Sequence, residues 1–159
     1  FKSMSYPNSQ LWLHLSLLNL LEENRTDSLT GILNRRGFEE ALVQLEATAQ
    51  RYQRPLTLIL IDMRGLKSLN QQQGHVAGDQ ALKTLVHRIQ LNKRDADIIA
   101  RVGGDEFALL LPETDAQQAL NAIQRIQSDL QTQHIEISYG TAQTPSEDLY
   151  AEADQQLNK

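Results

Sequence analysis

Two apolar runs, DIIARV and FALLLPE, flank residues Gly103–Glu106 and constrain the fold more than any other feature of the sequence. Each run has the length and the β-rich composition of a buried strand. Glycine provides the backbone freedom that a tight turn demands, so the glycine pair fits a turn between the strands. The sequence therefore predicts a β-hairpin with Asp105 and Glu106 in its turn.

The other segments predict two further strands and several helices. PLTLILIDM is continuously apolar, which indicates a strand that is covered on both faces and central in the sheet, and HIEISYGTA predicts a short alternating strand. Apolar positions at helical spacing lie in NRRGFEEALVQLEATAQRY, GHVAGDQALKTLVHRIQLN, TDAQQALNAIQRIQSDLQ and SEDLYAEADQQLNK. We expect an α+β fold in which helices cover a mostly antiparallel central sheet, with a ferredoxin-like, palm-type βαββαβ core.

The N-terminal segment SQLWLHLSLLNLLEE, residues 9–23, repeats leucine at helical spacing over an unusually wide surface. Such a surface needs a partner. Two interpretations are open: the helix packs on its own domain, or it continues from an upstream domain and pairs with its copy in a dimer. We assign residues 1–26 to an N-terminal linker or signalling helix.

Composition excludes several classes of protein. With 159 residues the chain fits one domain, and a net charge of -5 without a long Lys/Arg run argues against a nucleic-acid polymer as ligand. The absence of cysteine excludes disulfides and thiolate metal sites and is typical of a reducing compartment. No apolar segment reaches the length of a membrane span. We expect a cytoplasmic domain; whether the full-length protein is membrane-anchored is open.

Carboxylates cluster at the predicted strand ends. Asp62 ends the LTLILI strand, while Asp105 and Glu106 lie in the hairpin turn, so the three converge if the strands are neighbours. Unpaired, such a cluster would repel itself and raise at least one pKa. Mg²⁺, which prefers one or two carboxylates together with water and substrate phosphate, would relieve the repulsion. Asp105 and Glu106 are, however, also ordinary residues of a hairpin turn.

Several motifs resemble those of the GGDEF family of diguanylate cyclases. GGDEF itself is present at residues 103–107, and DSLTGILNRRGF resembles the family's D-x-L-T-G-L-x-N-R-R-x-F. DMRGLKSLNQQQGHVAGDQAL resembles D-I-D-x-F-K-x-x-N-D-x-x-G-H-x-x-G-D-x-x-L, and ISYGTA and EADQQL are similar to the family's closing strand and helix. The resemblance covers the chain from about Asp27 onward, so we assign residues 27–159 to a GGDEF catalytic domain whose C-terminal helix is cut short.

The resemblance implies condensation of two GTP into cyclic di-GMP with release of two pyrophosphates, and a requirement for Mg²⁺ or Mn²⁺. Asp62, the backbone carbonyl of Met63 and Asp105 match the family's metal ligands, and Glu106 is a further ligand or proton acceptor. Because each monomer holds one GTP, the reaction centre requires an antiparallel homodimer. An upstream sensor domain is expected to control this dimer through the N-terminal helix.

Substrate-binding positions follow from the same resemblance. Asn70 and Asp79 match the residues that hydrogen-bond guanine, and a carboxylate can accept from both the N1–H and the exocyclic amino group. Lys67, in the short turn RGLK, fits a catalytic phosphate contact. His75 is given no catalytic role. Further residues expected to line the nucleotide are Leu66, Gly103 and Gly104.

The RDAD sequence, residues 94–97, resembles the family's R-x-x-D motif at its usual spacing from GGDEF. It implies a product site at which cyclic di-GMP acts as a feedback inhibitor through Arg94 and Asp97, with Arg101 as an accessory contact. An arginine fork can donate to guanine O6 and N7. The alternative is a charged loop exposed between a helix and a strand.

The pattern departs from the family at four positions near the catalytic residues. Arg64 replaces a second aspartate, Gly65 loosens the expected phosphate turn, Leu66 replaces an aromatic residue and Gln71 replaces an aspartate. The family's closing A-K-x-x-G-R-N segment, whose Lys and Arg normally bind phosphates, falls after the last residue of this sequence, Lys159. These differences leave an alternative function open: a weak or degenerate domain that binds GTP or cyclic di-GMP as a receptor. A purely structural dimerisation module is a third possibility.

Overall fold

The computed structural model describes residues 10–18 and 24–157. Its centre is a four-stranded antiparallel sheet in the order β2-β3-β1-β4. The strands are β1 (Leu56–Met63), β2 (Ile98–Arg101), β3 (Glu106–Pro112) and β4 (Ile137–Gln143). The predicted hairpin, the central position of β1 and the antiparallel α+β fold are confirmed.

Helices cover both faces of the sheet. Residues 10–18 are helical (α1), and the other helices are α2 (Arg35–Tyr52), α3 (Leu66–Gln73), α4 (His75–Asn92), α5 (Ala116–Thr132) and α6 (Leu149–Leu157). Alternate residues along β1 point to opposite faces. Ile59, Ile61 and Met63 pack with α4 and α5, while Leu58 and Leu60 pack with α2 and α6.

Local sequence signals set where two of these helices begin. The Asn34 side chain accepts a hydrogen bond from the Gly37 amide and caps α2. The Asp115 side chain accepts from the Gln118 amide at 2.8 Å, and the Gln118 side chain accepts from the Asp115 amide at 3.0 Å. This reciprocal capping box starts α5 as predicted.

The sequence prediction was wrong at one element. RGLK was predicted as a short turn, but Lys67 is the second residue of helix α3, and Gly65 caps this helix in the left-handed conformation at φ 75°. Polar residues dominate α3, so its helical period was hidden. A smaller difference is that Glu106 is the first residue of β3 and not part of the turn.

The described part of the N-terminal leucine segment, residues 10–18, is helical and exposed throughout. Leu13 and Trp12 expose 67% and 71% of their surface, so these residues do not pack on their own domain. The rest of the predicted helix, residues 9 and 19–23, lies outside the described residues. Across the described part of the chain, no helix is both long and apolar enough to cross a membrane.

Candidate functional site

The acidic strand ends meet as the sequence predicted. Asp62 in β1 lies directly opposite Glu106 in β3, and the Met63 amide donates to the Asp105 carbonyl oxygen at 2.9 Å. Residues opposite each other in an antiparallel pair present their side chains on the same face, with Cβ atoms roughly 5 Å apart. The β1–β3 pairing therefore brings Asp62, Asp105 and Glu106 together at one end of the two central strands, and this cluster is called the acidic corner below.

Asp62 is the electrostatically unusual member of this corner. Its Oδ1 atom is buried and has no hydrogen-bond partner among the described residues. Burial, followed by repulsion from Asp105 and Glu106, raises the pKa of Asp62 to about 6. A buried acceptor without a donor is costly unless something else binds it.

The family resemblance implies a metal ion at this corner. Within residues 10–18 and 24–157, no three His, Cys, Asp or Glu side chains form a ready metal cluster. The expected ligands are the Asp62 and Asp105 carboxylates and the Met63 carbonyl, with Glu106 as a further ligand, and in the described chain these three carboxylates do not form such a cluster. The unsatisfied Oδ1 of Asp62 and its raised pKa fit a site that a hard cation would complete.

Arg64, the departure that most affects this corner, is turned toward β4. Its Nε donates to Ser138 Oγ at 2.5 Å, and its amide donates to the Glu136 carbonyl at 2.9 Å. The charge of Arg64 still lowers the pKa of Asp62, but this effect is smaller than the opposing burial and carboxylate repulsion.

Glu106 has a partner that sequence reasoning missed. The hydroxyl of Tyr150 in α6 donates to Glu106 Oε1 at 2.8 Å and accepts from Arg35 Nη1 at 3.1 Å. Burial and the hydrogen bond to Glu106 raise the pKa of Tyr150, so its hydroxyl is protonated at neutral pH. Tyr150 is 44 residues from Glu106 in the chain, and no local motif signals the contact.

The hairpin turn is held from its outer side by Arg101. The Arg101 guanidinium donates to the Gly104 carbonyl from Nη2 at 2.7 Å and from Nε at 3.1 Å. Its Nη1 donates to the Asp27 carboxylate at 3.3 and 3.4 Å. Asp27 also accepts from the amide and hydroxyl of Thr30. Arg101, predicted as an accessory product contact, thus ties the GGDEF turn to the DSLTG turn.

The predicted guanine pair lies where α3 meets α4. Asn70 is in α3, and its Oδ1 atom is buried with no hydrogen-bond partner in the described chain. Asp79 is exposed in the first turns of α4. Between them Gly78 is packed so closely that an added Cβ would lie 1.7 Å from Asn70 Oδ1. A buried, unsatisfied side-chain oxygen beside an exposed carboxylate fits the recognition of a polar ligand edge.

The remaining predicted substrate contacts lie at the start of α3 and in the hairpin turn. Lys67 is exposed in α3, and the half-buried Leu66 packs against the core. Gly103 and Gly104 are exposed in the hairpin turn. An added Cβ at Gly104 would meet no atom within 4 Å, so this side of the turn is open.

The predicted product site lies at the opposite end of β2 from the GGDEF turn. Arg94 Nη2 donates to Asp97 Oδ1 at 2.7 Å, and Asp97 Oδ2 accepts from the Arg94 amide at 2.9 Å. Asp97 is 5% exposed, whereas the Arg94 side chain is 55% exposed. Arg94 also donates to Thr114 Oγ1 and the Pro112 carbonyl. The segment is therefore a structured loop with an accessible arginine.

Comparison with known proteins assigns the chain to a family. The family model described as "Diguanylate cyclase, GGDEF domain" matches residues 24–159, so the chain belongs to the GGDEF family of diguanylate cyclases. The probable diguanylate cyclase DgcC of Escherichia coli strain K12 is 39% identical over 106 residues, which are 67% of this chain and 29% of DgcC. The chain thus spans less than a third of that relative.

Two further proteins are similar to the chain. The crystal structure of the GGDEF domain of DgcB from Caulobacter crescentus, in complex with c-di-GMP, matches with a TM-score of 0.78 and 26% identity. That match covers 84% of this chain and 88% of the DgcB domain. The cyclic di-GMP phosphodiesterase NbdA of Pseudomonas aeruginosa is 37% identical over 108 residues, 68% of this chain and 14% of NbdA.

Proposed function

We propose that this chain condenses two GTP into cyclic di-GMP and releases two pyrophosphates, using Mg²⁺ or Mn²⁺ in an antiparallel homodimer. The single observation that carries the proposal is the corner at which Asp62 lies opposite Glu106, with Asp105 bonded to the end of β1. Membership of the diguanylate cyclase family supports it.

The residues of this corner would have different roles in the transfer of the nucleotidyl group. Asp62, Asp105 and the Met63 carbonyl would hold Mg²⁺, with Glu106 as a further ligand or proton acceptor. Mg²⁺ bound there would offset charge on the phosphates and help activate the attacking 3′-hydroxyl. Lys67, exposed in α3, would contact phosphate.

Asn70 and Asp79 would select guanine. Asp79 can accept from two donors on the guanine edge, which adenine does not offer, and the buried Oδ1 of Asn70 needs a donor. Leaving such a group unpaired costs on the order of 1–3 kcal/mol. Asp79→Ala is therefore expected to weaken GTP binding far more than ATP binding, as measured by calorimetry with both nucleotides.

Dimerisation is part of the proposed mechanism because one chain would bind one GTP. Two chains must face each other so that each 3′-hydroxyl reaches the α-phosphate of the other nucleotide. The exposed leucines of α1 support a role for this helix in pairing, under the control of an upstream sensor domain.

Incubation with GTP and Mg²⁺, followed by chromatographic separation of the products, tests the function. Cyclic di-GMP and pyrophosphate are expected from the unaltered chain, and Asp105→Ala is expected to abolish product without loss of the fold. Glu147→Ala, an exposed acid outside the site, is the matched control. Undiminished product from Asp105→Ala would contradict the metal assignment.

A second candidate function is a receptor that binds GTP or cyclic di-GMP without turnover. The observation that favours it is Arg64, a cation that lowers the pKa of Asp62 and stands where the family has a second acid. Nucleotide binding by calorimetry, together with no product in the chromatographic assay, would select the receptor over the cyclase.

A further inference from the structure

The contacts of Tyr150 connect the acidic corner to helix α2. Its hydroxyl donates to Glu106 Oε1 at 2.8 Å, and the ring lies 5.9 Å from the ring of Phe38, which is 1% exposed. The Arg35 guanidinium stacks 4.4 Å from the centre of the Tyr150 ring and donates to its hydroxyl at 3.1 Å. Tyr150 is therefore held by packing on one side and by a cation on another.

Arg35 has a second hydrogen-bond partner besides Tyr150. It is the first residue of α2, and its Nε donates to Glu39 Oε1 one turn later at 3.0 Å. With Nε bonded to Glu39 and Nη1 to Tyr150, the guanidinium plane has one orientation. The chain of contacts from Glu39 through Arg35 and Tyr150 to Glu106 is continuous.

Glu106 needs such support because its side chain stands beside a like charge and a glycine. It faces Asp62 across the β1–β3 pair, where like charges repel. Gly103, whose missing Cβ would lie 3.3 Å from Glu106 Cβ, offers no side chain to pack against it. A glutamate has several rotatable bonds, and a free carboxylate here would sample many positions.

We propose, building on the proposed function, that Tyr150 is a positioning residue for Glu106. Its hydroxyl bond holds the Glu106 carboxylate in one orientation beside Asp62 and Asp105, and the stacked Arg35 holds Tyr150. A catalytic or metal-binding carboxylate must be kept close to its productive geometry by surrounding bonds, and Tyr150 provides that bond.

The first test measures the position of Glu106 directly. Tyr150→Phe removes one hydroxyl and keeps the ring, so the Phe38 contact and the Arg35 stacking survive, while the hydrogen bonds of the hydroxyl to Glu106 and from Arg35 are lost. A crystal structure of the unaltered protein is expected to show the Glu106 side chain in one orientation. A crystal structure of Tyr150→Phe is expected to show it in several. An unchanged single orientation in Tyr150→Phe would overturn the proposal.

The second test measures cation binding without turnover. Mn²⁺ is titrated in the presence of a non-hydrolysable GTP analogue and followed by electron paramagnetic resonance. Because a bond to a charged group is lost, Tyr150→Phe is expected to bind Mn²⁺ about five- to tenfold more weakly. Tyr52→Phe is the matched control, because Tyr52 also lies under an arginine, Arg51, but at the far end of α2. It is expected to bind like the unaltered protein.

A variant that retains the tyrosine separates positioning from folding. Arg35→Met keeps the Tyr150 hydroxyl but removes the guanidinium that stacks on the ring, and it is expected to weaken Mn²⁺ binding about two- to threefold. Arg36→Met, at the neighbouring position, is the control and is expected to leave Mn²⁺ binding unchanged. Equal Mn²⁺ affinity in all variants would overturn the proposal. If the unaltered protein binds Mn²⁺ but forms no cyclic di-GMP, the cyclase function fails while these measurements still decide the role of Tyr150. If it binds no Mn²⁺, the crystal structures alone decide.

Discussion

The side-chain oxygen of Asn70 lies against the backbone of Gly78, and a Cβ atom at Gly78 would come within 1.7 Å of it. The contact joins α3 to α4 just before Asp79, the second residue of the proposed guanine pair. No heavy atom can occupy that space without moving the amide. A residue without a side chain is thus required at position 78, where the two residues of the proposed guanine pair meet.

Gly78→Ala is expected to raise the KM for GTP by roughly tenfold, with a smaller effect on kcat. The added methyl group displaces the Asn70 amide, and a misplaced hydrogen-bonding partner costs on the order of 1–3 kcal/mol in binding. Steady-state kinetics with GTP measure the effect. Gln90→Ala, exposed near the other end of α4, is the control. An unchanged KM in Gly78→Ala would contradict the placement of Asn70 in the guanine site.

Much of this fold could be predicted because its signals are local. The continuous apolarity of β1, the glycine turn between β2 and β3, and the acid that caps α5 each determine their own element. Helix α3 was missed because LKSLNQQQ carries too few apolar residues to reveal a period, and its formation depends on packing with α4.

The site was only partly predictable for a related reason. Its acids and amide stand in recognisable motifs, but the groups that hold them come from distant parts of the chain. Tyr150 reaches Glu106 across 44 residues, and Asp27 reaches Arg101 across 74. The docking of α6 on the sheet creates the first contact, and the pairing of Leu33 with Ala100 in β2 accompanies the second. Neither leaves a trace in local spacing.

The raised pKa of Asp62 predicts a pH-dependent stability in the absence of divalent metal. The folded chain holds this proton up to about pH 6, whereas the unfolded chain releases it near 3.8. The folded state therefore binds more protons between these values, and the contribution of Asp62 to stability is lost as pH rises through this window. Asp62→Asn removes the charge at this position, so the variant does not lose this stability as pH rises.

At pH 7 without metal, Asp62→Asn is expected to be more stable than the unaltered protein by about 1–2 kcal/mol, after discounting for partial exposure. The difference should vanish near pH 4. Urea unfolding at both pH values measures it, and Mg²⁺ should stabilise only the unaltered protein. Equal stabilities at pH 7 would show that Asp62 is not held under repulsion.

Arg101 is expected to be needed for the shape of the GGDEF turn. Arg101→Lys keeps a positive charge near Asp27 but cannot reproduce the forked donation to the Gly104 carbonyl. The Arg101 and Asp27 side chains are each 18% exposed, so we expect a loss of about 1–3 kcal/mol in urea unfolding, together with reduced activity. Arg54→Lys, at the exposed pair with Glu113, should change stability by less than about 1 kcal/mol. An equal loss of stability in Arg101→Lys and Arg54→Lys would contradict the role of Arg101 in holding the GGDEF turn.

The Arg94 and Asp97 side chains of the RDAD loop serve its structure as well as the predicted product site. The Arg94 side chain is 55% exposed and could turn its guanidinium to guanine, but it is also the partner of the buried Asp97. Arg94→Ala is therefore expected to abolish binding of cyclic di-GMP and to lower the unfolding free energy by about 1–3 kcal/mol, because Asp97 Oδ1 loses its guanidinium donor. Asp97→Ala should abolish binding and also destabilise the loop by about 1–3 kcal/mol, because it removes a buried acceptor.

Calorimetry with cyclic di-GMP decides this last prediction, with Arg125→Ala as a control for the loss of an exposed arginine elsewhere. Arg125 donates to the Asn92 carbonyl near the end of α4, outside the RDAD motif. Because Arg94 lies at the far end of β2 from the catalytic turn, bound product would inhibit without displacing GTP, and inhibition should be non-competitive. Binding that is unchanged in Arg94→Ala, or absent in the unaltered protein, would mean that RDAD is only a structural loop.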